Sequence, residues 1–118
     1  MRMKQLALGV ALAGIMAAPA LAQNSIFVPL LTYRTGPFSN SGIPIANGMH
    51  DYLAMLNERD GGIGGVKLAI EECETGCKNE KGVECYEALK SKKPVVVNPY
   101  STGITLALIP KASVDHIP

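Results

Sequence analysis

Apolar residues beyond position 25 fall into runs that predict three β-strands. Residues 26–32 and 94–98 are almost continuously apolar, which is typical of strands buried on both faces of a parallel sheet. Residues 66–71 alternate only in part and lead into a polar segment, which we interpret as a loop over residues 71–79. Because Pro29 has no N–H for a sheet hydrogen bond, we expect the first strand to begin effectively at Leu30 or to lie near a margin of the sheet.

Three helices are predicted to follow these strands. In the first, five apolar residues recur at helical spacing, namely Ile45, Met49, Tyr52, Leu53 and Leu56. We expect Ser41 or Gly42 to cap its start, and the glycines after Asp60 to end it. A second helix is predicted over residues 80–90, and a third begins at Ile104.

The order strand, helix, strand, helix, strand, helix predicts an α/β fold, a three-layer, doubly wound parallel sheet with right-handed crossovers. Pro110 conflicts with the third helix, because a proline inside a helix costs ~3 kcal/mol. We therefore expect that helix to end by Ile109 or to bend. In open sheets of this class, ligands bind beyond the carboxyl ends of the strands. The predicted site therefore lies in the loops that follow the strands.

The loop after the third predicted strand carries the strongest candidates for ligand binding. Ser101 and Thr102 combine hydroxyl groups with the N–H groups of a helix start, and such a loop can bind an anion. Tyr100 and Gly103 are expected to shape the approach to them. An ordinary serine and threonine helix cap is the competing interpretation.

The loop after the first strand carries weaker candidates. Tyr33 and Ser41 flank this loop, and turn chemistry alone also explains them. Arg34 can pair with a ligand carboxylate, although an arginine at a strand end is usually solvated or bound to a neighbouring acid. Three acidic residues near the second strand are expected to form a solvated rim rather than a cation or amine site, namely Glu71, Glu72 and Glu74.

The N-terminus has the parts of a cleaved secretion signal. Two basic residues precede an apolar run over residues 6–22, which ends in a small-x-small cleavage site at Ala22. The run is shorter than the ~20 apolar residues of a membrane-spanning helix, and polar residues follow it. We therefore predict a signal peptide over residues 1–22 and a mature, periplasmic chain over residues 23–118.

Charge and composition exclude several functions. The chain has 11 basic and 10 acidic side chains, and cleavage of the signal removes two of the basic ones. This near-neutral balance lacks the basic stripe of a nucleic-acid binder. Because the sequence has no Gly-x-Ser-x-Gly elbow, no HExxH motif and no phosphate-binding glycine fingerprint, we expect neither an enzyme nor a cofactor.

Three cysteines in an exported chain predict one disulfide and one spare thiol. On sequence grounds Cys73 can pair with either of the other two, Cys77 or Cys85. Three residues separate Cys73 from Cys77, instead of the two of a typical zinc or redox pair, and neither histidine lies nearby. We therefore expect no metal site.

Five motifs in a fixed order carry a resemblance to a known family. They are TYRTGPFSNSGIPIANG, DGGIGGVKL, ECETGC, GVECYEAL and VVVNPYSTGIT. Behind a signal peptide, this order resembles the N-terminal part of a type I periplasmic binding protein. The subfamily it resembles most binds branched-chain amino acids and amides and feeds ATP-driven importers. The resemblance covers residues 26–118.

The resemblance implies two doubly wound lobes that clamp a ligand, of which this chain would supply an incomplete first lobe. In the family, the segment that matches Ser101 and Thr102 holds the carboxylate or polar head of a small ligand. Ser41 falls where the amino-acid binders have a side chain that faces the ligand. The family also often has a disulfide in this region, which implies the pair Cys73 and Cys85 and leaves Cys77 free.

The function that the resemblance implies is capture of a small polar ligand, an amino acid or an amide-like molecule, for the permease of an ABC importer. A ligand-sensing ectodomain of the same fold is one alternative, and a non-functional truncated fragment is the other. Because the clamp would be incomplete, we expect the mature chain by itself to bind its ligand more weakly than about 1 mM.

Overall fold

The computed structural model describes residues 24–118, so the predicted signal peptide lies outside the described residues. The described chain contains two strands, three α-helices and a short 3-10 helix. In chain order they are β1 (Ile26–Thr32), α1 (Ser39–Asp60), β2 (Leu68–Glu74), α2 (Asn79–Leu89), the 3-10 helix (Lys90–Lys92) and α3 (Thr102–Asp115). The described part of the chain has no helix that is long and apolar enough to span a membrane.

The sheet is parallel, as predicted, and consists of β1 and β2. β1 and β2 pair in parallel from Ile26 opposite Leu68 to Thr32 opposite Glu74. Residues 94–98 run along the other side of β1, where the Val95 N–H donates to the Phe27 carbonyl at 3.4 Å and Leu30 forms a parallel bridge with Asn98. The expectation that β1 starts only at Leu30 is wrong, because its pairing begins at Ile26.

Residues 94–98 do not form the regular third strand that the sequence predicts. Alternate residues of a strand present their backbone groups to the same neighbour. Phe27 faces residues 94–98 through its carbonyl, so Pro29 faces them as well, and it has no N–H to donate. The pairing of residues 94–98 with β1 is interrupted at Pro29 and limited to the contacts at Phe27 and Leu30. On the outer side of the segment, the Val97 N–H donates to the Pro118 carbonyl at 2.9 Å.

Helices cover both faces of the sheet, which confirms the doubly wound α/β class. On one face, Val28 and Leu30 of β1 line a groove with Met49 and Leu53 of α1. The opposite face packs on α2 and α3 in the main apolar core, which consists of Leu31, Cys85, Tyr86, Leu89, Ile104 and Leu108. Strand residues alternate between these two sides, so β1 is buried in both directions.

The start of α1 differs from the prediction. The helix begins at Ser39 after Phe38, without a side-chain cap, and the Ser41 hydroxyl donates to the Phe38 carbonyl at 3.1 Å. Ser41 and Gly42 therefore lie inside the first turns. The buried positions of the helix are Gly42 and Ala46, whereas the predicted core residue Tyr52 is 57% exposed. A small-residue surface lets the helix approach the sheet closely, and the larger apolar residues lie beside that contact.

Other boundaries move by a few residues. α1 ends as predicted, at Gly61 in the left-handed conformation. β2 runs from Leu68 to Glu74, whereas the sequence predicted residues 66–71. Asn57 of α1 fixes its first residue by accepting from the Leu68 N–H at 2.7 Å and donating to the Leu68 carbonyl at 2.9 Å. α3 starts at Thr102 and continues through Pro110 to Asp115, so of the two expected outcomes, an end by Ile109 or a bend, the first does not occur.

Candidate functional site

Three loops meet at the carboxyl edge of the sheet, where the sequence predicted a ligand site. They consist of residues 33–38 after β1, residues 75–78 after β2 and residues 99–101 before α3. Buried Thr75 joins the first two, because its N–H and its hydroxyl both donate to the Thr32 carbonyl at 2.7 Å. The loops are therefore anchored to the ends of the strands.

Tyr33 and Tyr100, both predicted site residues, form a stacked pair at this edge. Their ring centroids lie 4.8 Å apart, and the ring planes differ by only 10°. The neighbouring Tyr100 side chain is the largest cause that raises the pKa of Tyr33 to about 12, and burial contributes less. The Tyr33 hydroxyl therefore stays protonated at physiological pH and remains a hydrogen-bond donor.

The backbone at Tyr100 has a strained conformation. Tyr100 has a φ of 57°, in the left-handed region that residues with a side chain rarely adopt. The Asn98 side chain supports it, since its Oδ1 accepts from the Tyr100 N–H at 3.0 Å. Strain of this kind costs on the order of 1 kcal/mol and is often found at functional sites.

Ser101 lies next to the stack and contacts the loop after β2. The Cys77 thiol donates to the Ser101 hydroxyl, with 3.4 Å between Sγ and Oγ. Cys77 itself has a left-handed φ of 60°, and its N–H donates to the Thr75 hydroxyl at 3.1 Å. The sequence pattern does not predict this contact, because only the folded loops bring Cys77 next to Ser101.

Ser101 is the N-cap residue of α3 by position, but its side chain does not cap the helix. Its carbonyl accepts the first helical hydrogen bond, from the Thr105 N–H at 2.8 Å. The N–H groups of the first turn, which begins at Thr102, therefore have no side-chain cap. The competing interpretation of Ser101 as an ordinary side-chain cap is wrong.

Two glycines allow the helices to approach these loops. A Cβ atom on Gly42 would lie 1.9 Å from the Tyr33 carbonyl oxygen and 2.4 Å from its Cδ2 atom, so α1 packs directly on Tyr33. A Cβ on Gly103 would lie 2.5 Å from Oδ1 of Asn79 at the start of α2. Gly103 therefore supports the site by close packing with α2, whereas the sequence pattern suggested a residue that shapes the approach.

Arg34 is bound by an acid of the protein. Its guanidinium forms an ion pair with Glu72, including a bond of 3.0 Å from Nη2 to Oε2, and also donates to Asn47 Oδ1 at 2.6 Å. The Thr32 hydroxyl donates to the same Glu72 carboxylate at 2.8 Å. The hydrogen bond from Arg34 is the largest cause that holds the pKa of Glu72 below its ordinary value. Arg34 is therefore engaged within the protein and not free for a ligand carboxylate.

Glu74 organises the loops around the site. Its carboxylate accepts from the Arg34 N–H at 2.8 Å, the Thr35 hydroxyl at 2.9 Å and the Gly76 N–H at 2.9 Å. Burial raises the pKa of Glu74, but these hydrogen bonds outweigh it and leave the pKa below the ordinary value. With Glu71 paired to Lys92, all three acids of the expected solvated rim have protein partners. The expected rim is thus exposed at Glu72 and Glu74, and its acids also have partners within the protein.

Of the remaining predicted residues, Ser41 lies apart from this cluster, and Thr102 adjoins it at Ser101. Ser41 is exposed on α1, and its hydrogen bond to Phe38 does not join it to the tyrosine pair or to Ser101. Thr102 is exposed at the start of α3. Within residues 24–118, no cluster of His, Cys, Asp and Glu is arranged to hold a metal ion.

The implied disulfide is present near the same edge. Cys73 and Cys85 are bonded, with their Cα atoms 5.8 Å apart, and Cys77 is a free thiol. The bond joins β2 to α2, and the loop that carries Cys77 connects these two elements. Beside the engaged charges of Arg34, Glu72 and Glu74, this edge presents hydroxyl groups, aromatic rings and helix N–H groups, which can contact a small polar molecule.

Comparisons with known proteins agree with this geometry. Residues 25–118 match the model of a family described as periplasmic binding protein. A crystal structure described as an ABC transporter permease from the Pseudomonas fluorescens group is 44% identical over 80% of this chain, with a TM-score of 0.76. An extracellular ligand-binding receptor from Verminephrobacter eiseniae is 25% identical over 80% of this chain, with a TM-score of 0.67. This chain spans 24% and 27% of those two chains. No curated protein matches it.

Proposed function

Because the chain belongs to the periplasmic binding protein family, we propose that it acts as the solute-binding component of an ABC importer. Proteins of this family bind ligands outside the cytoplasm and are not enzymes, in agreement with the expectation from the sequence. The proposed ligand is a small polar organic molecule, such as a branched-chain amino acid, an amide or a related acid. The proposed location is the periplasm, after cleavage of the signal peptide over residues 1–22.

The placement of Ser101 supports the proposal most directly. Since the Cys77 thiol donates to the Ser101 oxygen, the proton of the Ser101 hydroxyl is left available for another acceptor. The uncapped first turn of α3, which starts at Thr102, presents N–H groups beside that hydroxyl. A carboxylate or amide oxygen of the ligand would accept from both, and the helix dipole would favour a carboxylate.

The ligand would be held mainly by neutral donors. Arg34, the nearest cation on the first loop, is neutralised by Glu72, and Glu74 is occupied by loop N–H groups. Neither Arg34 nor Glu74 is therefore free to pair with a ligand. The chain spans only about a quarter of each solved neighbour, so we expect it to make part of the contacts of such a protein and to bind more weakly than about 1 mM.

Titration of the exported, isotope-labelled chain with L-leucine and acetamide tests this proposal by NMR. We expect either probe to shift the amide signals of Ser101, Thr102 and Gly103 in a saturable manner, and Ser101→Ala to weaken the effect. Ser113→Ala is the matched control, because Ser113 is exposed near the other end of α3. If neither probe nor any related acid shifts these three amides, the proposal is wrong.

A ligand-sensing ectodomain is the second candidate, since one solved neighbour is described as an extracellular ligand-binding receptor. The binding chemistry would be the same, and only the partner would differ. Genes that flank the coding sequence distinguish the two roles. Adjacent permease and ATPase genes would support import, whereas an adjacent signalling gene without them would support sensing.

A further inference from the structure

The stacked tyrosines present an aromatic wall next to the proposed ligand site. Tyr33 follows β1 directly, and Tyr100 directly precedes Ser101, whose hydroxyl we assign to the ligand. Both rings are half-buried, so part of the aromatic surface remains open. An aromatic surface therefore adjoins, in sequence, the hydroxyl that we assign to the ligand.

Packing on α1 fixes the position of the stacked tyrosines. Gly42 of α1 lies against the backbone and ring of Tyr33, and Tyr100 stacks on Tyr33 with nearly parallel planes. The aromatic surface that remains for a ligand is accordingly that of Tyr100. The left-handed backbone of Tyr100, supported by Asn98, holds its ring in this place at a conformational cost.

We propose that the Tyr33–Tyr100 stack is a specificity determinant that selects ligands with a planar, unsaturated group attached to the acid or amide. The inference rests on the proposed function, and it narrows the ligand class that the function leaves open. A flat ring can extend the stack at an offset, as aromatic rings prefer, whereas a saturated ring of similar size has no flat face to offer. The favoured ligands are therefore aryl carboxylates and aryl amides.

Matched pairs of probes isolate planarity from charge and size. Benzoate is compared with cyclohexanecarboxylate, and benzamide with cyclohexanecarboxamide, in NMR titrations of the full exported chain. We expect the planar member of each pair to bind roughly three- to tenfold more tightly, which is the range that one aromatic stacking contact supplies. The dissociation constants are read from the amides of Tyr100, Ser101 and Thr102.

Two substitutions of the same residue assign the preference to the ring. Tyr100→Leu is expected to bring the affinity ratio within each pair close to one, and Tyr100→Phe to retain the preference. Tyr52→Leu is the control, because Tyr52 is exposed on α1 and outside the stack. A merely structural role for Tyr100 would weaken all four probes equally and leave the ratio unchanged.

The outcomes separate this inference from the proposed function. Equal affinities within both pairs in the wild-type chain, or an unchanged ratio in a folded Tyr100→Leu variant, overturn the inference. In either case, saturable shifts at Ser101 and Thr102 would leave the proposed function standing. Because the wild-type ratio alone can refute the inference, the test remains decisive even if Tyr100→Leu does not fold.

Discussion

Cys73 at the end of β2 is disulfide-bonded to Cys85 in the middle of α2, and the Cα atoms of the two residues lie 5.8 Å apart. Cys85 is buried in the main apolar core, whereas Cys73 immediately precedes Glu74, which holds the loops of the site. The bond therefore couples the core to the carboxyl edge of the sheet.

Removal of this disulfide should lower the free energy of unfolding. For a loop with a sequence separation of 12, restriction of the unfolded chain predicts a loss of about 2 to 3 kcal/mol in the Cys73→Ala/Cys85→Ala variant. Urea denaturation measures the change. Cys77→Ala is the control and should lose much less, because its thiol makes one long hydrogen bond. A Cys77-containing crosslink in unreduced peptides would contradict the pairing itself.

The Tyr86 hydroxyl should stabilise the contact between α2 and α3. Tyr86 is fully buried, and its hydroxyl donates to Asp115 at 2.9 Å. Burial is the largest cause that raises the pKa of Tyr86 to about 12, so the group stays protonated and donates throughout the physiological range. Tyr86→Phe should cost about 1.5 to 3 kcal/mol, the net value of a hydrogen bond to a charged group. The exposed Tyr52→Phe should cost little, and equal losses in thermal denaturation would refute the assignment.

Two glycines of α1 should respond in opposite directions to alanine. A Cβ on Gly42 meets the Tyr33 backbone at 1.9 Å, which predicts a loss of about 2 to 3 kcal/mol from overpacking. Gly48 has no atom within 4 Å of an added Cβ, so Gly48→Ala should gain up to about 1 kcal/mol from higher helix propensity. Urea denaturation of both variants measures these effects. A stable Gly42→Ala variant would show that α1 does not pack on Tyr33 as described.

Acid should destabilise the site through its carboxylates. The pKa values of Glu72 and Glu74 lie below the ordinary 4.5, so their contribution to stability is fully present above about pH 4.5. It is lost as the pH falls through the lowered values in the folded chain. Glu72→Gln should therefore lose less stability than the wild type on acidification. Glu58→Gln, a change at an exposed position of α1, should follow the wild type. Parallel acid-unfolding curves for wild type and Glu72→Gln would contradict this prediction.

The sequence predicts the element order and the parallel sheet because these depend on local periodicity. Apolar runs and helical spacing persist over whole elements, so boundary errors at β2 and α3 leave the class unchanged. The prediction of a third strand is wrong, because strand pairing depends on contacts between segments that are distant in sequence. The segment pairs on the side of β1 where Pro29 has no N–H, and its own N–H groups at Val95 and Val97 point to opposite sides, towards Phe27 and Pro118.

The sequence predicts where the candidate site should lie, but it does not predict the contacts within it. The rule that ligands bind beyond the carboxyl ends of strands directs attention to Tyr33 and Ser101, which the structure places at this edge. The Tyr33–Tyr100 stack and the Cys77–Ser101 hydrogen bond join loops that are distant in sequence, and periodicity carries no information about them. The one recoverable signal is Arg34 with acids on the neighbouring strand, since parallel strands place their ends side by side.

Intermolecular NOEs between benzoate and the full exported chain test the central claim most directly. The claim is that a small ligand binds at the carboxyl edge of the sheet, between the tyrosine stack and the start of α3. It predicts NOEs from the benzoate ring protons to the Tyr100 ring and to the Thr102 methyl group. NOEs confined to the exposed apolar side chains of α3, Leu106, Ile109 and Val114, would place the ligand elsewhere and contradict the claim.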